Sequence, residues 1–463
     1  MKIALVLTKA MYYSFFDTVV RSLYDMGHDV CIVCRPGFDF DGNKSGRTLL
    51  KLLADVPQAK LVDARLREKK AARVIMVREL ANYANFLRPG HPMPPSLPWE
   101  NIYMRGRLHP KIYWAVKTRV GVALFSTSFV RWLLRTLESL VLPEPQIIEW
   151  LDEYKPDVVV ASPYIWSSDL EVEYVKAAKQ KGIPTIAAVL SWDNLVSKGT
   201  YLVKPEWLFV WNNNLTEEAV HLHDFERENV FITGAPVFDP WFNLSPSIDR
   251  ENFCQQCGID PKKPYILFLG SSKTITDLDV EFIKALIAHF EQVDETKRPN
   301  IVIRPHPYAS FDMTIFENDW VKIFPPKGGR PDMDETRQTY FDTLYHSAAV
   351  VGINTTGFLD AAIVDKPCVT LMDDRMREGQ GAHFNYLIDA DYLEVARNRY
   401  ETFEIIDRII GGVDMKMENR RKFVHQFIRP LGMDIPASDV MLKAILAVGY
   451  GKKPEDWKNE IHE

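Results

Sequence analysis

The segment VVGINTTGFLDAAIVDKPCVTL, Val350–Leu371, decides the fold. It opens with an apolar, β-branched run that stops at Gly352, the composition of a buried strand. Asn354, Thr355 and Thr356 lead into Gly357, after which Phe358, Leu359, Ala362 and Ile363 recur at helical spacing. Pro367 marks a new start, and a second apolar run follows at once. A strand, a polar turn, a short helix and another strand in so few residues is the unit from which parallel sheets are built.

The same alternation continues outward in both directions. In the first half of the chain come apolar runs at Lys2–Leu7, Asp29–Val33, Asp157–Ala161, Pro184–Val189, Trp207–Val210 and Asn229–Thr233. After it come Tyr265–Leu269, Asn300–Ile303, Val321–Phe324, Ala349–Val351 and Pro367–Leu371. Helical patterns lie between them at Ser14–Met26, Leu170–Lys181, Thr276–Phe290, Thr339–Ser347 and Gly357–Val364. A chain of 463 residues is too long for one ordinary core. The break falls near Phe238–Lys263, where Pro240, Pro246, Pro261 and Pro264 are spaced by polar residues. The expected fold is therefore α/β with two Rossmann-like domains. Residues 1–240 form the first, with a basic helical insertion at about 45–145. Residues 241–435 form the second, and 436–463 hold a closing helix that packs back on the first.

Composition narrows the class. Hydrophobic residues make up 46% and charged residues 25%, which is ordinary globular usage. No run reaches about 18 consecutive apolar residues, so no ordinary membrane-spanning helix is expected. The opening MKIALVLTKA reads as a core strand rather than a cleavable leader. Two CxxC pairs, Cys31/Cys34 and Cys254/Cys257, raise zinc or redox chemistry. On a strand, residues three apart point to opposite faces, which argues against a metal at Cys31/Cys34. An odd cysteine count fits a reducing, cytoplasmic setting.

One region departs from the alternating scheme. Between Arg65 and Arg135 there are 14 Lys/Arg against three acids, Glu68, Glu79 and Glu100. Aromatics are interleaved with this charge at Tyr83, Phe86, Trp99, Tyr103, Tyr113 and Trp114. The region closes on Val120–Leu142, which reads as one amphipathic helix carrying Arg131 and Arg135. Basic residues beside Trp, Phe and Leu suit an anionic membrane interface across about 65–142, and predict a peripheral location at the inner face of the plasma membrane. The alternative is an insertion whose apolar face is simply core. No nucleic-acid motif accompanies the charge, so no nucleic-acid partner is expected.

Six segments carry candidate chemistry. The first βα turn, LTKAMYYSFFD, lacks GxGxxG, which disfavours a dinucleotide; its Thr8, Lys9, Ser14 and Asp17 are candidates for acceptor contact. In NIVIRPHPYAS, Asn300–Ser310, Arg304 and His306 leave a buried strand within a loop stiffened by prolines, where a cation and an imidazole would neutralise a diphosphate. In ILFLGSSKTITD, Ile266–Asp277, Ser271, Ser272 and Lys273 resemble a phosphate loop without Walker spacing. In AVLSWDNLVSKG, Ala188–Gly199, Asp193 is a candidate general base. The segment quoted first adds Asn354, Thr355, Thr356 and Gly357 as a phosphate-binding helix start, and Asp360 for ribose. REGQGAHFNYL, Arg377–Leu387, adds His383 in a closing loop.

Together the RPHP loop and NTTGFLDAAIVDKP resemble the donor domain of glycosyltransferase B (GT-B) enzymes, over about Tyr265–Leu387. The likeness is to bacterial surface-polysaccharide transferases, including CDP-glycerol glycerophosphotransferase-like and capsule Kdo-transferase-like groups, and more distantly to UDP-GlcNAc 2-epimerases. SWDN and GAPVFDPW, Gly234–Trp241, also look like the middle of such proteins. The resemblance implies a metal-independent transferase without a cofactor, moving a sugar from an activated donor to a glycan or lipid-linked acceptor. It assigns donor phosphate to His306, and phosphate or base to Thr355 and Thr356. The helix acid usually seen as Glu in related transferases is Asp360 here. An isomerase, a glycerophosphotransferase and a non-catalytic sugar-binding protein are the alternatives.

Overall fold

The computed structural model describes residues 1–34, 46–64, 72–93, 104–165, 170–271, 278–306, 311–326, 331, 333–372 and 382–462. They form two units, Met1–Asp239 with Phe427–Glu463, and Pro240–Gln426.

The first unit is built on seven parallel strands: β1 Lys2–Leu7, β2 Asp29–Cys34, β3 Lys60–Asp63, β4 Val158–Ser162, β5 Thr185–Ala188, β6 Trp207–Val210 and β7 Val230–Ile232. Their order is β3-β2-β1-β4-β5-β6-β7, so the direction of winding reverses between β1 and β4. Ile3 lies opposite Val30 on one side and Val158 on the other. All five residues of β4 are buried, as are the last five of β1 and of β2, because helices cover both faces. Cys31 and Cys34 are buried free thiols within β2, and burial pushes the Cys31 thiol up to about 12. The edge strand β3 and the preceding helix over Arg47–Asp55 occupy sequence expected to begin the helical insertion.

The helices used below are α1 Asp17–Asp25, α2 Arg47–Asp55, α3 Ala72–Phe86, α4 Pro110–Val116, α5 Arg119–Phe125 and α6 Ser128–Ser139. They are followed by α7 Leu170–Gln180 and α8 Asn194–Ser197. The single helix expected over Val120–Leu142 is two, α5 and α6, bent by 70°. Ser126-Thr127-Ser128 supplies the reason. Ser126 and Thr127 donate back to the carbonyls of Ala123 and Leu124, and Thr127 Oγ1 then accepts from the Val130 amide as the cap of α6.

The insertion is fastened through buried charge. Arg78 of α3 donates to both oxygens of Glu138 on α6, at 3.1 and 2.7 Å, and also to Glu173 of α7. Lys176 of α7 donates to Glu138 at 2.9 Å. Asn82 of α3 accepts from the Thr200 amide at 2.9 Å, where Gly199 leaves no room for a side chain beside it.

The second unit has six parallel strands: β8 Tyr265–Leu269, β9 Asn300–Arg304, β10 Val321–Ile323, β11 Ala349–Gly352, β12 Cys368–Leu371 and β13 Leu393–Ala396. Their order is β10-β9-β8-β11-β12-β13, with the reversal between β8 and β11. Its helices include α9 Asp279–Glu291, α10 Asp334–Tyr345 and α11 Gly357–Ile363.

At Phe427, ahead of the expected 436, the chain rejoins the first unit, and α12, Ala437–Gly449, packs on α1. Asp239, from GAPVFDPW, fixes this return. Its buried carboxylate accepts from Arg429 at 2.8 Å and from the amides of Ala437 and Ser438 that open α12. Removing one member of a buried pair strands the other. Arg429→Met is therefore expected to cost the first unit about 3–5 kcal/mol in equilibrium urea unfolding. Arg227→Ala, which removes an exposed pair with Glu217, should move the unfolding midpoint far less. Equal losses would overturn this account of the return.

Candidate functional site

In the second unit the candidate residues meet where the sheet order reverses. Gly270 follows β8, and its amide donates to the Arg304 carbonyl at 2.9 Å. A Cβ on Gly270 would lie 3.0 Å from the His306 amide nitrogen, so only glycine lets the RPHP loop lie this close. Ser271 is buried. Its hydroxyl donates to the Ile353 carbonyl at 2.8 Å, and its amide donates to Asp279 at the start of α9. Ser271 thus braces the ends of β8 and β11 together. Ser272 and Lys273 lie outside the described residues.

Arg304, the last residue of β9, is buried, and its guanidinium sits 4.2 Å over the Tyr340 ring of α10. Burial lowers its pKa, opposed by nearby Tyr340 and Asp360. Asp360, one turn into α11, is half-buried. Desolvation pushes its carboxyl up to about 7, against the pull of a hydrogen bond with Tyr340 and of the Arg304 cation. Arg304, Tyr340 and Asp360 therefore form one coupled group at the carboxyl ends of β9 and β11. Tyr340 was not among the candidates from sequence. It stands mid-helix in QTYFDTLYHS, and only the sheet order brings it under Arg304.

The turn before α11 makes contacts of its own within the fold. Asn354 adopts a left-handed conformation, φ 47°, which Asn tolerates better than most residues. Thr355 Oγ1 accepts from the Gly357 amide at 3.2 Å, and Thr356 is exposed. Gly357 was expected to admit a ligand to the backbone. Instead its missing Cβ would lie 2.6 Å from Leu269 Cδ1 and 2.8 Å from the Tyr340 hydroxyl, so the glycine serves helix-on-strand packing. The helix has only seven residues, and one of its first amides already bonds Thr355. His383 is buried beside Phe384, whose ring lies 6.2 Å from Phe358 of α11; residues 373–381 of the same loop lie outside the described residues.

In the first unit, the ends of β1, β4 and β5 are neighbours. Thr8, just past β1, donates to the buried carboxylate of Glu171 at the start of α7, a residue not singled out from sequence. Asp193 follows β5. It pairs with Lys198 at 3.1 Å and accepts from Ser197 at 3.0 Å while staying partly exposed. Trp192 is buried edge-on against Phe427 of the returning segment. Behind this loop, His223 bonds the Leu195 carbonyl, and burial pushes its pKa down to about 3, so it remains neutral. Asp17 heads α1, where its carboxylate pairs with Arg21 at 3.0 Å; burial raises the pKa of Tyr13, and this carboxylate raises it further. These are the contacts of a brace within the fold. Among the described residues no group of three or more His, Cys, Asp or Glu is placed to hold a metal. A cavity of about 200 Å³ beside Leu278, Glu281, Arg397 and Arg399 includes none of the candidates.

No protein-family profile and no curated protein sequence matches the chain. Solved structures do. UDP-GlcNAc 2-epimerase from Neisseria meningitidis, bound to UDP-GlcNAc, aligns with a TM-score of 0.52 at 12% identity, over 96% of this chain and 100% of that one. MnaA from S. aureus, in a structure with UDP, aligns at 0.53 and 12%, over 98% of each chain. A glycosyltransferase from Rickettsia africae aligns at 0.53 and 11%, over 96% and 98%. The fold is GT-B. In a GT-B chain the two parallel sheets are two Rossmann-like domains, and ligands of such sheets bind at the carboxyl ends of strands beside the order reversal. Arg304, Tyr340 and Asp360 stand at that position in the second domain.

Asp360 yields a pH prediction. Its folded-state pKa is raised from 3.8 to about 7, so between these values the folded chain holds a proton that the unfolded chain releases. That contribution to stability is complete below 3.8 and is lost as pH rises through about 7. Asp360→Asn and wild type should melt alike near pH 4, with the variant a few degrees higher at pH 8. A wild type that melts higher than the variant at pH 8 would reverse the assignment.

Proposed function

We propose that the chain is an enzyme acting on a nucleotide-activated sugar, and that it transfers the sugar to a hydroxyl of a surface glycan or lipid-linked glycan. One observation carries the reading. Arg304, Tyr340 and Asp360 cluster at the strand-order reversal of the second domain, with the His306 backbone packed on Gly270 beside them. A buried guanidinium next to a carboxyl held up to about 7 makes a locally electropositive strand end near neutral pH, suited to a diphosphate.

In the transfer, the bond between the anomeric carbon and the phosphate oxygen breaks, and the electron pair departs with the nucleoside diphosphate. The acceptor oxygen forms the new bond and its proton passes to a base. Arg304 and His306 stabilise the developing charge on the leaving group. Thr355 and Thr356 contribute hydroxyls to the same phosphates. Asp193, partly exposed at a strand end of the first domain, is the residue assigned to receive the proton. Asp17, already paired with Arg21, is the less suitable carboxylate.

A second reading uses the same donor site. The near-neutral carboxyl of Asp360 can give and take a proton, as an isomerase of nucleotide sugars requires, and the fold is shared with UDP-GlcNAc 2-epimerases.

Thermal shift against UDP, CDP, CMP, GDP and ADP tests the donor site, since a ligand of the folded state raises the melting temperature. One diphosphate should raise it by several degrees in wild type, with most of the rise lost in His306→Ala. The absence of a rise with every nucleotide overturns the reading. Incubation with the matching sugar nucleotide, with and without a glycan acceptor, then separates the two chemistries. Acceptor-dependent release of diphosphate supports transfer, whereas an isomerised sugar nucleotide without acceptor supports the second reading.

A further inference from the structure

Helix α6 has two apolar faces. Val130 and Leu134 point inward with Glu138, which is buried against Arg78 and Lys176. The opposite face carries Phe129, Trp132, Leu133, Leu137 and Leu140, all exposed, with Phe129 at 62% and Trp132 at 59%. The spacing of three, four and eight residues from Phe129 keeps them on one stripe. Val120 and Leu124 of α5 and Trp114 of α4 are exposed as well. A surface helix of a soluble domain ordinarily turns a polar face outward, and contiguous apolar surface of this kind marks an interaction site.

The surrounding charge specifies the partner. Residues 104–143 hold seven Lys/Arg and one acid, Glu138, which is buried. Arg105, Lys111 and Arg119 are exposed in the same helical region. No single helix among the described residues is long and apolar enough to cross a bilayer: the 12 residues of α6 span about 18 Å against roughly 30 Å of hydrocarbon, and α5, which passes the length and composition test only together with α6, is bent from it by 70°. Short helices with an outward stripe of Trp, Phe and Leu and exposed cations suit the headgroup region of an anionic membrane.

We propose that α4–α6 dock this enzyme onto an anionic lipid bilayer, with Phe129, Trp132, Leu137 and Leu140 inserted below the headgroups and Arg105, Lys111 and Arg119 at the phosphates. The proposal stands independently of the donor reading. The test is flotation of the full chain with vesicles of phosphatidylcholine, with and without phosphatidylglycerol. Wild type should float with the anionic vesicles and bind neutral ones roughly tenfold more weakly or less. High salt should weaken the anionic binding. Trp132→Ser with Leu137→Ser should abolish flotation, while Lys111→Glu with Arg119→Glu should lose the preference for phosphatidylglycerol. All four positions are exposed, and circular dichroism checks that the variants are folded. Three results would overturn the proposal: wild type remaining in the aqueous fraction with both lipids at low salt, the Ser variant floating like wild type, or a wild-type dimer in sedimentation that the Ser variant converts to monomer without any lipid binding.

Discussion

A parallel sheet covered by helices on both faces has only its strand ends available for polar chemistry. Both sheets of this chain obey that constraint, and it organises everything else. Strands such as VVVAS and NIVIR are buried along their whole length, so charge first becomes admissible at their last residue or beyond. Arg304 is that last residue in β9, Thr8 follows β1, and the Asp193 loop follows β5. The reversal of strand order then selects among the ends. At β8 and β11, the crossovers depart to opposite sides and Ser271 bridges the two strand ends, while Gly270 admits the loop after β9 on the other side of β8.

The first domain adds a second constraint through buried charge. Arg78, Glu138, Glu173 and Lys176 come from three helices and are almost completely inaccessible. Such a network adds little net stability over an apolar core, but it penalises every arrangement that separates its members. Here it fixes the rotation of α6, because Glu138 must face inward. Phe129, Trp132 and Leu137 must then face out. Through Asn82, the same helix α3 also holds the backbone at Thr200, just beyond Asp193 and Lys198. The insertion is thus tied both to a candidate loop and to the outward apolar stripe.

Much of this was legible in the residues because buried strands announce themselves by long β-branched runs. Lys2–Leu7, Trp207–Val210 and Tyr265–Leu269 have the bounds expected of them. The edge strands β3 and β13 escaped, since charge interrupts the short segments KLVD and LEVA and a lone edge strand need not be hydrophobic on both faces. The bend between α5 and α6 was hidden by continuous hydrophobicity, which records burial or membrane contact and not the local competition of Ser126 and Thr127 for backbone carbonyls. Gly357 illustrates a different limit. A glycine marks a close approach, but its neighbours in the chain cannot say whether a ligand, Leu269 or Tyr340 is what approaches.

The coupling of Arg304, Tyr340 and Asp360 follows from the same burial that conceals it from the sequence. An ionised carboxylate beside Arg304 would neutralise the cation and leave little attraction for an anionic ligand. Desolvation works against ionisation, and with the carboxyl pushed up to about 7 the group holds its proton over a wide range below neutrality. A diphosphate arriving there would repel a second negative charge and favour the protonated acid further. Proton retention and anion binding therefore reinforce each other, with Tyr340 beneath the guanidinium and hydrogen-bonded to the acid as the link between them.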